Sequence, residues 1–242
     1  NKSFLILHRY RAKLLPFSMK KDVALVTLLI ATRNLHKVEE IRSILGNGLQ
    51  FLTLKDFPGV PAVVEDARTF SGNASKKALH VALWLSLNGP VRNTCPHYVI
   101  ADDSGLEVDA LDGDPGVHSA RFAAAETGAK GNSSDEANLA KLLRLLREIR
   151  ADKRTARFRC VVAVVPTNPG KLLRVPQLFG GVCEGHIALK PRGNGGFGYD
   201  PVFTPNGCTK TFAELGEDVK NRLSHRANAL AGLKMWLAKG LV

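Results

Sequence analysis

Asp102 and Asp103 stand side by side at the end of an apolar run, Tyr98–Ala101, and Ser104 and Gly105 follow them. Two adjacent carboxylates at the mouth of a buried strand can hold a hard divalent cation, or divide into one metal ligand and one general base. The same pattern also describes a strand followed by a solvated turn, because Asp, Ser and Gly are ordinary turn formers. Four further segments bear on the choice. Thr32, Asn34 and Lys37 lie between a predicted strand and a predicted helix. Free N–H groups and the positive end of the helix dipole favour a phosphate there, although the glycines of a Walker A loop are missing. Glu65 precedes a predicted helix start around Thr69–Ala74, and it matters chemically only if the fold brings it to Asp103. Gly193, Gly195, Gly196 and Gly198 surround Phe197, Tyr199 and Asp200, so a backbone can approach a flat ligand while rings stack on it. Lys220, Ser224, His225 and Arg226 fall in a predicted final helix, with Lys220 and Ser224 four apart on one face.

The elements that must position these residues alternate early and then turn to β-structure. Val23–Ala31 is a continuous apolar run of buried-strand type. The next helix sets Val38, Ile41, Ile44 and Leu45 inward and Glu39, Glu40 and Arg42 outward, and Gly46-Asn47-Gly48 stops it. Gln50–Leu54 predicts a short strand, Ser71–Leu87 a helix, and Tyr98–Ala101 a strand ending at the paired acids. Ser133 with Glu136 predicts a capping box for a helix whose Lys141, Arg144, Arg147 and Arg150 form a solvated face. Arg157–Val165 predicts another strand. Val175–Leu189 predicts one or two more, interrupted by Gly180-Gly181 and Gly185, and a last helix runs from about Glu217 to Leu237. The order implies an α/β protein with a mixed sheet and two lobes.

At 242 residues the chain is long enough for one large domain, and no apolar run approaches the roughly 18–20 residues of a membrane span. Cys95, Cys160, Cys183 and Cys208 show no zinc spacing, which points to free thiols in a reducing compartment. Half of the net charge of +12 comes from residues 1–21, which hold Lys2, Arg9, Arg11, Lys13, Lys20 and Lys21 and no acid. A mildly basic body suits an anionic small substrate. No basic stripe interleaved with aromatics appears, so specific nucleic-acid binding is not expected. Residues 1–18 read as a basic extension outside the fold, and 19–242 as a single two-lobed domain.

Five motifs in order, ATRNLHK, the Glu65–Asn73 region, ADDSGLEVDALDGDPGVHSAR, PRGNGGFGYDPVF and AEL…KNRLSHRANAL, closely resemble the inosine triphosphate pyrophosphatase family over residues 23–239. The resemblance implies an elongated central mixed sheet with flanking helices and two lobes around a cleft. It implies a cytoplasmic homodimer that hydrolyses ITP, dITP and XTP to the monophosphate and pyrophosphate with Mg2+. By the same resemblance Thr32, Arg33, Asn34, Leu35, His36 and Lys37 bind the triphosphate, while Glu65 and Asp103 bind the metal. Asp103 is also the base for the attacking water. Ser104, Phe197, Gly198, Tyr199, Asp200, Lys220, His225 and Arg226 contact the nucleotide, and Asp102 and Asn73 support the acids. His225 and Arg226 are expected to govern base choice, with Arg226 or a backbone N–H donating to the purine 6-carbonyl, and Lys220 to contact phosphate. The family usually has Gly where this chain has Arg33 and His36, and often Glu where it has Gly72. The alternatives are a Maf-like pyrophosphatase with another base preference and a nucleotide-binding protein without catalysis.

Overall fold

The computed structural model describes residues 25–89, 95–124, 128, 131–168 and 175–240; the basic segment 1–18 and the start of the first predicted strand lie outside these. Among the described residues, six strands form one sheet in the order β2-β1-β3-β4-β5-β6. They are β1 (Thr27–Ile30), β2 (Gln50–Thr53), β3 (Tyr98–Val108), β4 (Thr155–Pro166), β5 (Gln177–Ile187) and β6 (Phe203–Pro205). β1 pairs in parallel with β2 and β3, and the remaining pairings are antiparallel. The sheet is mixed, as the sequence predicts. The helices are α1 (Leu35–Leu45), α2 (Phe70–Asn88), α3 (Asp135–Leu145), α4 (Phe212–Leu215), α5 (Glu217–Leu223) and α6 (His225–Gly240).

Alternation along the strands sorts the core into two layers. Leu28, Ile30, Ile100, Val162 and Val164 face α1 and α6. Leu29, Val99, Ala101, Ala163 and Val165 face α2 on the other side. Farther along, Leu106 and Val108 of β3, Phe158 of β4, Phe203 of β6 and Phe212 of α4 build the core of the second lobe, joined by Leu142 and Leu146 at the end of α3. Among the described residues no helix is long and apolar enough to cross a membrane.

Several elements depart from the sequence reading, each for a visible reason. β3 does not end at the paired acids. It pairs with β4 residue for residue from Tyr98 to Val108, so Asp102 to Gly105 lie in mid-strand. Gly105 serves close approach instead of a turn: a Cβ there would lie 2.4 Å from the Gly116 carbonyl and from Ser119 Oγ. β5 likewise runs unbroken through Gly180-Gly181 and Gly185. A Cβ on Gly181 would lie 2.1 Å from the carbonyl of His225, so this glycine lets the start of α6 sit on the sheet. Ser134, not Ser133, caps α3, accepting from the Ala137 N–H, while Ser133 Oγ accepts from Ala124 N–H. α3 stops at Leu145 because the buried Arg154 guanidinium takes the Leu146 and Ile149 carbonyls. Arg147 and Arg150 are solvated as expected, but Lys141 donates to the Phe122 carbonyl and lies over its ring. The predicted final helix is two helices, broken at Ser224, whose backbone is extended (φ −69°, ψ 159°). Lys220 and Ser224 therefore do not share a continuous helix face.

Candidate active site

Residues from both lobes line a cavity of about 390 Å³, within the size range of small-molecule sites. Its floor is β3, where alternation sends the two adjacent acids to opposite faces of the sheet. Asp103 follows Val99 and Ala101 toward α2. Asp102 follows Ile100 toward α1 and α6. Their environments differ accordingly.

On the α2 side, Asn73 and Lys77 stand one helical turn apart and both reach Asp103. Asn73 Nδ2 donates to Asp103 Oδ2 at 3.1 Å, and Lys77 Nζ lies 3.2 Å from Asp103 Oδ1. The same ammonium lies 2.8 Å from Glu65 Oε2, so the acid upstream of α2 does meet Asp103, across a shared cation. The Glu65 segment is pinned twice: Ala67 N–H donates to Asn73 Oδ1, and Arg121 Nη2 donates to the Glu65 carbonyl. Burial raises the Asp103 pKa above the ordinary 3.8 and the Glu65 carboxylate adds to it, despite Lys77, Lys37 and the Asn73 bond. Burial also works against the Lys77 charge, but Asp103, Asp102 and Glu65 outweigh it and raise that pKa.

On the other side, an alternating chain of charges runs beneath the cavity. Lys37 Nζ sits 2.9 Å from Asp102 Oδ2, and Arg226 Nη2 donates to the same oxygen at 2.8 Å and to Ser104 Oγ at 2.9 Å. Arg226 Nη1 pairs with Glu40, whose other oxygen is 2.6 Å from Lys220 Nζ. Lys220 in turn pairs with Asp200 at 2.5 Å, and Asp200 Oδ2 accepts the Phe197 N–H at 2.8 Å. The chain thus links Lys37, in the first turn of α1, to the aromatic loop. Burial pushes the Asp102 carboxyl up, yet Lys37, Arg226 and Lys77 outweigh it and hold the group well below the carboxylate range. Burial raises the Asp200 pKa even against Lys220, and it keeps the His225 imidazole neutral, aided by Arg226 and Lys220. Asp102 Oδ1, His225 Nδ1 and Arg226 Nε are buried with no hydrogen-bond partner, so polar capacity is left facing this region.

The segment from Thr32 to Lys37 spans the cleft mouth. Asn34 caps α1, its Oδ1 accepting from Lys37 N–H, and Thr32 Oγ1 accepts from Asn34 N–H. The Arg33 and His36 side chains point in different directions. Arg33 Nη2 donates to the Val60 carbonyl at 2.9 Å, and the His36 ring stacks on Phe197, with centroids 5.2 Å apart and planes at 12°. Leu35 is exposed. Gly72 has a local cause: a Cβ there would lie 2.8 Å from Ala67 Cβ and 3.0 Å from Thr69 Oγ1, so a larger residue would force its neighbours to shift.

The aromatic loop forms the far wall. Gly196 and Gly198 take positive φ (73° and 61°) on either side of Phe197, a conformation that favours glycine. Gly198 N–H donates to Asp135 at the start of α3, and the Tyr199 hydroxyl donates to the Ser119 carbonyl, so Tyr199 is tied into the wall. Lys220 Nζ lies 4.4 Å from the Phe197 ring centroid, and the His225 ring stacks on Phe158.

The Ham1 family model matches residues 28–236. The chain belongs to the Ham1 family. It is 47% identical over 209 residues to the dITP/XTP pyrophosphatase of Geobacter sulfurreducens, covering 86% of this chain and 94% of that protein. It is 41% identical over 214 residues to the dITP/XTP pyrophosphatase of Opitutus terrae, covering 86% and 96%. Among solved structures, the Ham1 protein of Staphylococcus aureus aligns with a TM-score of 0.72 at 34% identity, over 88% of this chain and 99% of that one. The HAM1 protein of Coxiella burnetii aligns with the same TM-score at 35% identity, over 89% and 100%.

In this Ham1 chain, Thr32, Arg33, Asn34, Lys37, Glu65, Asp103, Ser104, Phe197, Gly198, Tyr199, Asp200, Lys220, His225 and Arg226 all line one cavity. Leu35 and His36 do not line it, and Asp102 and Asn73 support it from beneath. Three contributors escape the sequence reading. Lys77 had a legible signal, since it follows Asn73 by four residues on α2. Glu40 reads as outward on α1 but pairs with Arg226 and Lys220. Arg121 ends a short 3-10 helix after β3 (Gly116–Arg121), too short for periodicity to register. Arg226 lines the cavity, yet its Nη atoms are taken by Glu40, Asp102 and Ser104, and Lys220 is held between Glu40 and Asp200. A free guanidinium reading a purine carbonyl is not the state seen here.

Proposed function

We propose that the chain is a Mg2+-dependent nucleoside triphosphate pyrophosphohydrolase acting on non-standard purine nucleotides of the ITP, dITP and XTP class. The observation that carries this reading is the convergence of Glu65 and Asp103, far apart in sequence, on one cation in a cavity that also holds a basic phosphate seat and an aromatic wall. The relatives named as dITP/XTP pyrophosphatases support the substrate class.

The donor set fits magnesium, which prefers hard oxygens, retains several waters and needs few carboxylates when phosphate supplies the rest. Glu65 and Asp103 already enclose a positive charge, the Lys77 ammonium. A bound Mg2+ would supply charge neutralisation at the polyphosphate. Asp103, fixed by Asn73, orients and deprotonates the water that attacks the α-phosphorus; unlike Asp102, which is held by Lys37 and Arg226, it faces Glu65 across the cavity. Asp102, held ionised by three cations, stays an anchor for Lys37 and Arg226. Lys37 and Lys77 face the polyphosphate, and pyrophosphate leaves as the monophosphate forms. Phe197 and the neutral His225 bound the base end, and Arg226 acts there by holding Ser104.

A homodimer in the cytoplasm completes the reading; the free cysteines, two of them buried, suit a reducing compartment. The test is a substrate panel with magnesium, scored for pyrophosphate. ITP, dITP and XTP should exceed ATP and GTP in kcat/KM by at least about tenfold, as one buried hydrogen bond lost or gained allows. Equal rates on all five would defeat the substrate assignment, and no pyrophosphate from any would defeat the activity.

A further inference from the structure

Glu65 and Asp103 reach the same cation, but the fold secures them unequally. Asp103 sits in mid-strand on β3, accepts from Asn73, and has a side chain only 10% exposed. Glu65 lies in the connection between β2 and α2, which holds no helix or strand, and its side chain is 37% exposed. Phe57 and Val60 anchor the early part of that connection in the core beside α2. Its end is fixed by the Ala67 N–H, which donates to Asn73 Oδ1. From Pro61 to Glu65 the backbone makes a single hydrogen bond among the described residues, the one that the Glu65 carbonyl accepts from Arg121 Nη2 at 3.1 Å.

Arg121 reaches Glu65 from the other lobe. It ends the helical turn Gly116–Arg121, and its neighbours are tied to second-lobe elements. The Ser119 carbonyl accepts from Tyr199, the Ala123 N–H donates to Asn138 on α3, and Phe122 packs in the second-lobe core. Among the described residues the Arg121 guanidinium pairs with no carboxylate; its hydrogen bond goes to the backbone of an acid whose side chain faces Lys77 and Asp103. As a charge, a guanidinium so close to a ligand of a dication is adverse, because like charges repel. As a tether it is favourable, because partners that orient metal ligands govern how tightly the metal is held.

We propose that Arg121 is a positioning residue: from the second lobe it holds Glu65 where Glu65 and Asp103 can share a divalent cation, and so sets the affinity of the site for that cation. This deepens the Mg2+-dependent reading and rests on it for the identity of the two ligands. The sign of the effect separates the two roles. Removing a mere positive charge would tighten cation binding, whereas removing a tether weakens it.

The experiment measures Mn2+ binding to the nucleotide-free protein, from the electron paramagnetic resonance signal of the free ion. Arg121→Ala should raise the dissociation constant about ten- to a hundredfold. Arg121→Lys, which keeps the charge and one donor but loses the planar fork, should recover part of the loss. In a Glu65→Gln background, where the carboxylate to be positioned is already gone, adding Arg121→Ala should change the constant by less than about threefold. The metal-free melting temperature of Arg121→Ala should fall by no more than about 4 °C. Unchanged or tighter Mn2+ binding by Arg121→Ala, or an effect that adds in full to that of Glu65→Gln, would overturn the tether. So would a lower melting temperature with an unaltered Mn2+ constant, the mark of a role in folding alone. Should Arg121→Ala not fold, Arg121→Lys decides: weaker binding than wild type supports the tether, and equal or tighter binding overturns it. If this pattern held while no nucleoside triphosphate yielded pyrophosphate, the activity would be wrong and the tether right. A wild type that bound no Mn2+ would overturn both.

Discussion

Glu40→Gln probes the buried charge chain at its centre. Glu40 joins Arg226 to Lys220, whose side chains are 1% and 5% exposed, and is itself 12% exposed. Replacing its carboxylate by an amide leaves two buried cations to share Asp102 and Asp200. Removing one member of a buried ion pair costs roughly 3–5 kcal/mol. The low end, about 3 kcal/mol, is expected because Gln keeps one acceptor oxygen and some water reaches the site. For a domain of this size that corresponds to a fall in melting temperature of about 6–12 °C. Glu39→Gln is the control: Glu39 is the exposed neighbour, and its loss should stay within about 0.5 kcal/mol. Urea denaturation of both variants and of the wild type measures the difference. Its pH dependence has a definite sign. Burial alone would raise the Glu40 pKa, but Arg226 and Lys220 outweigh it and hold the folded value below the ordinary 4.5. The ionised group therefore stabilises the fold fully above pH 4.5, and this contribution is lost as pH falls through the lowered folded pKa. The gap between wild type and Glu40→Gln should be flat near neutrality and close in acid. A loss below about 1 kcal/mol, or one matched by Glu39→Gln, would refute the energetic role of the chain.

Asp103→Asn should lower kcat by at least about a hundredfold with the fold intact by circular dichroism, and a variant keeping a tenth of the wild-type rate would remove Asp103 from the role of base. Gly181→Ala should cost about 1–3 kcal/mol and reduce kcat/KM, because its Cβ would meet the His225 carbonyl at 2.1 Å and the Ala229 nitrogen at 2.4 Å and displace α6. Gly180→Ala, with nothing within 4 Å, should do neither, and equal behaviour of the pair in melting and kinetics would show that α6 is not seated this way. Size-exclusion chromatography with light scattering should give twice the 26.2 kDa chain mass, and a monomer active at assay concentration would exclude the homodimer as a requirement.

The parts of this site that the sequence discloses are those set by local chemistry. Asn34 caps α1 and Gly46 ends it because short-range hydrogen bonding and positive φ decide helix ends. The division of Asp102 from Asp103 is different in kind. Strand alternation predicts opposite faces, but only if β3 continues past the acids, and that depends on eleven residues of pairing with β4. Ser, Gly and Asp read as turn formers until a partner strand supplies the hydrogen bonds. Gly105 and Gly181 mislead for a related reason: both are glycine because another backbone lies against them, a contact invisible to local rules. Glu40 reads as solvent-facing because α1 alone says nothing of α5 and α6, whose Lys220 and Arg226 compensate its burial. The break at Ser224 separates those two cations onto different helices, and no proline or glycine marks it.

The most direct measurement of the central claim is hydrolysis of ITP in water enriched in oxygen-18, with mass spectrometry of both products. Water oriented by Asp103 and attacking the α-phosphorus would place one labelled oxygen in the inosine monophosphate and none in the pyrophosphate. Label in the pyrophosphate, or release of labelled orthophosphate, would mean attack at a different phosphorus and would contradict the geometry assigned to Asp103.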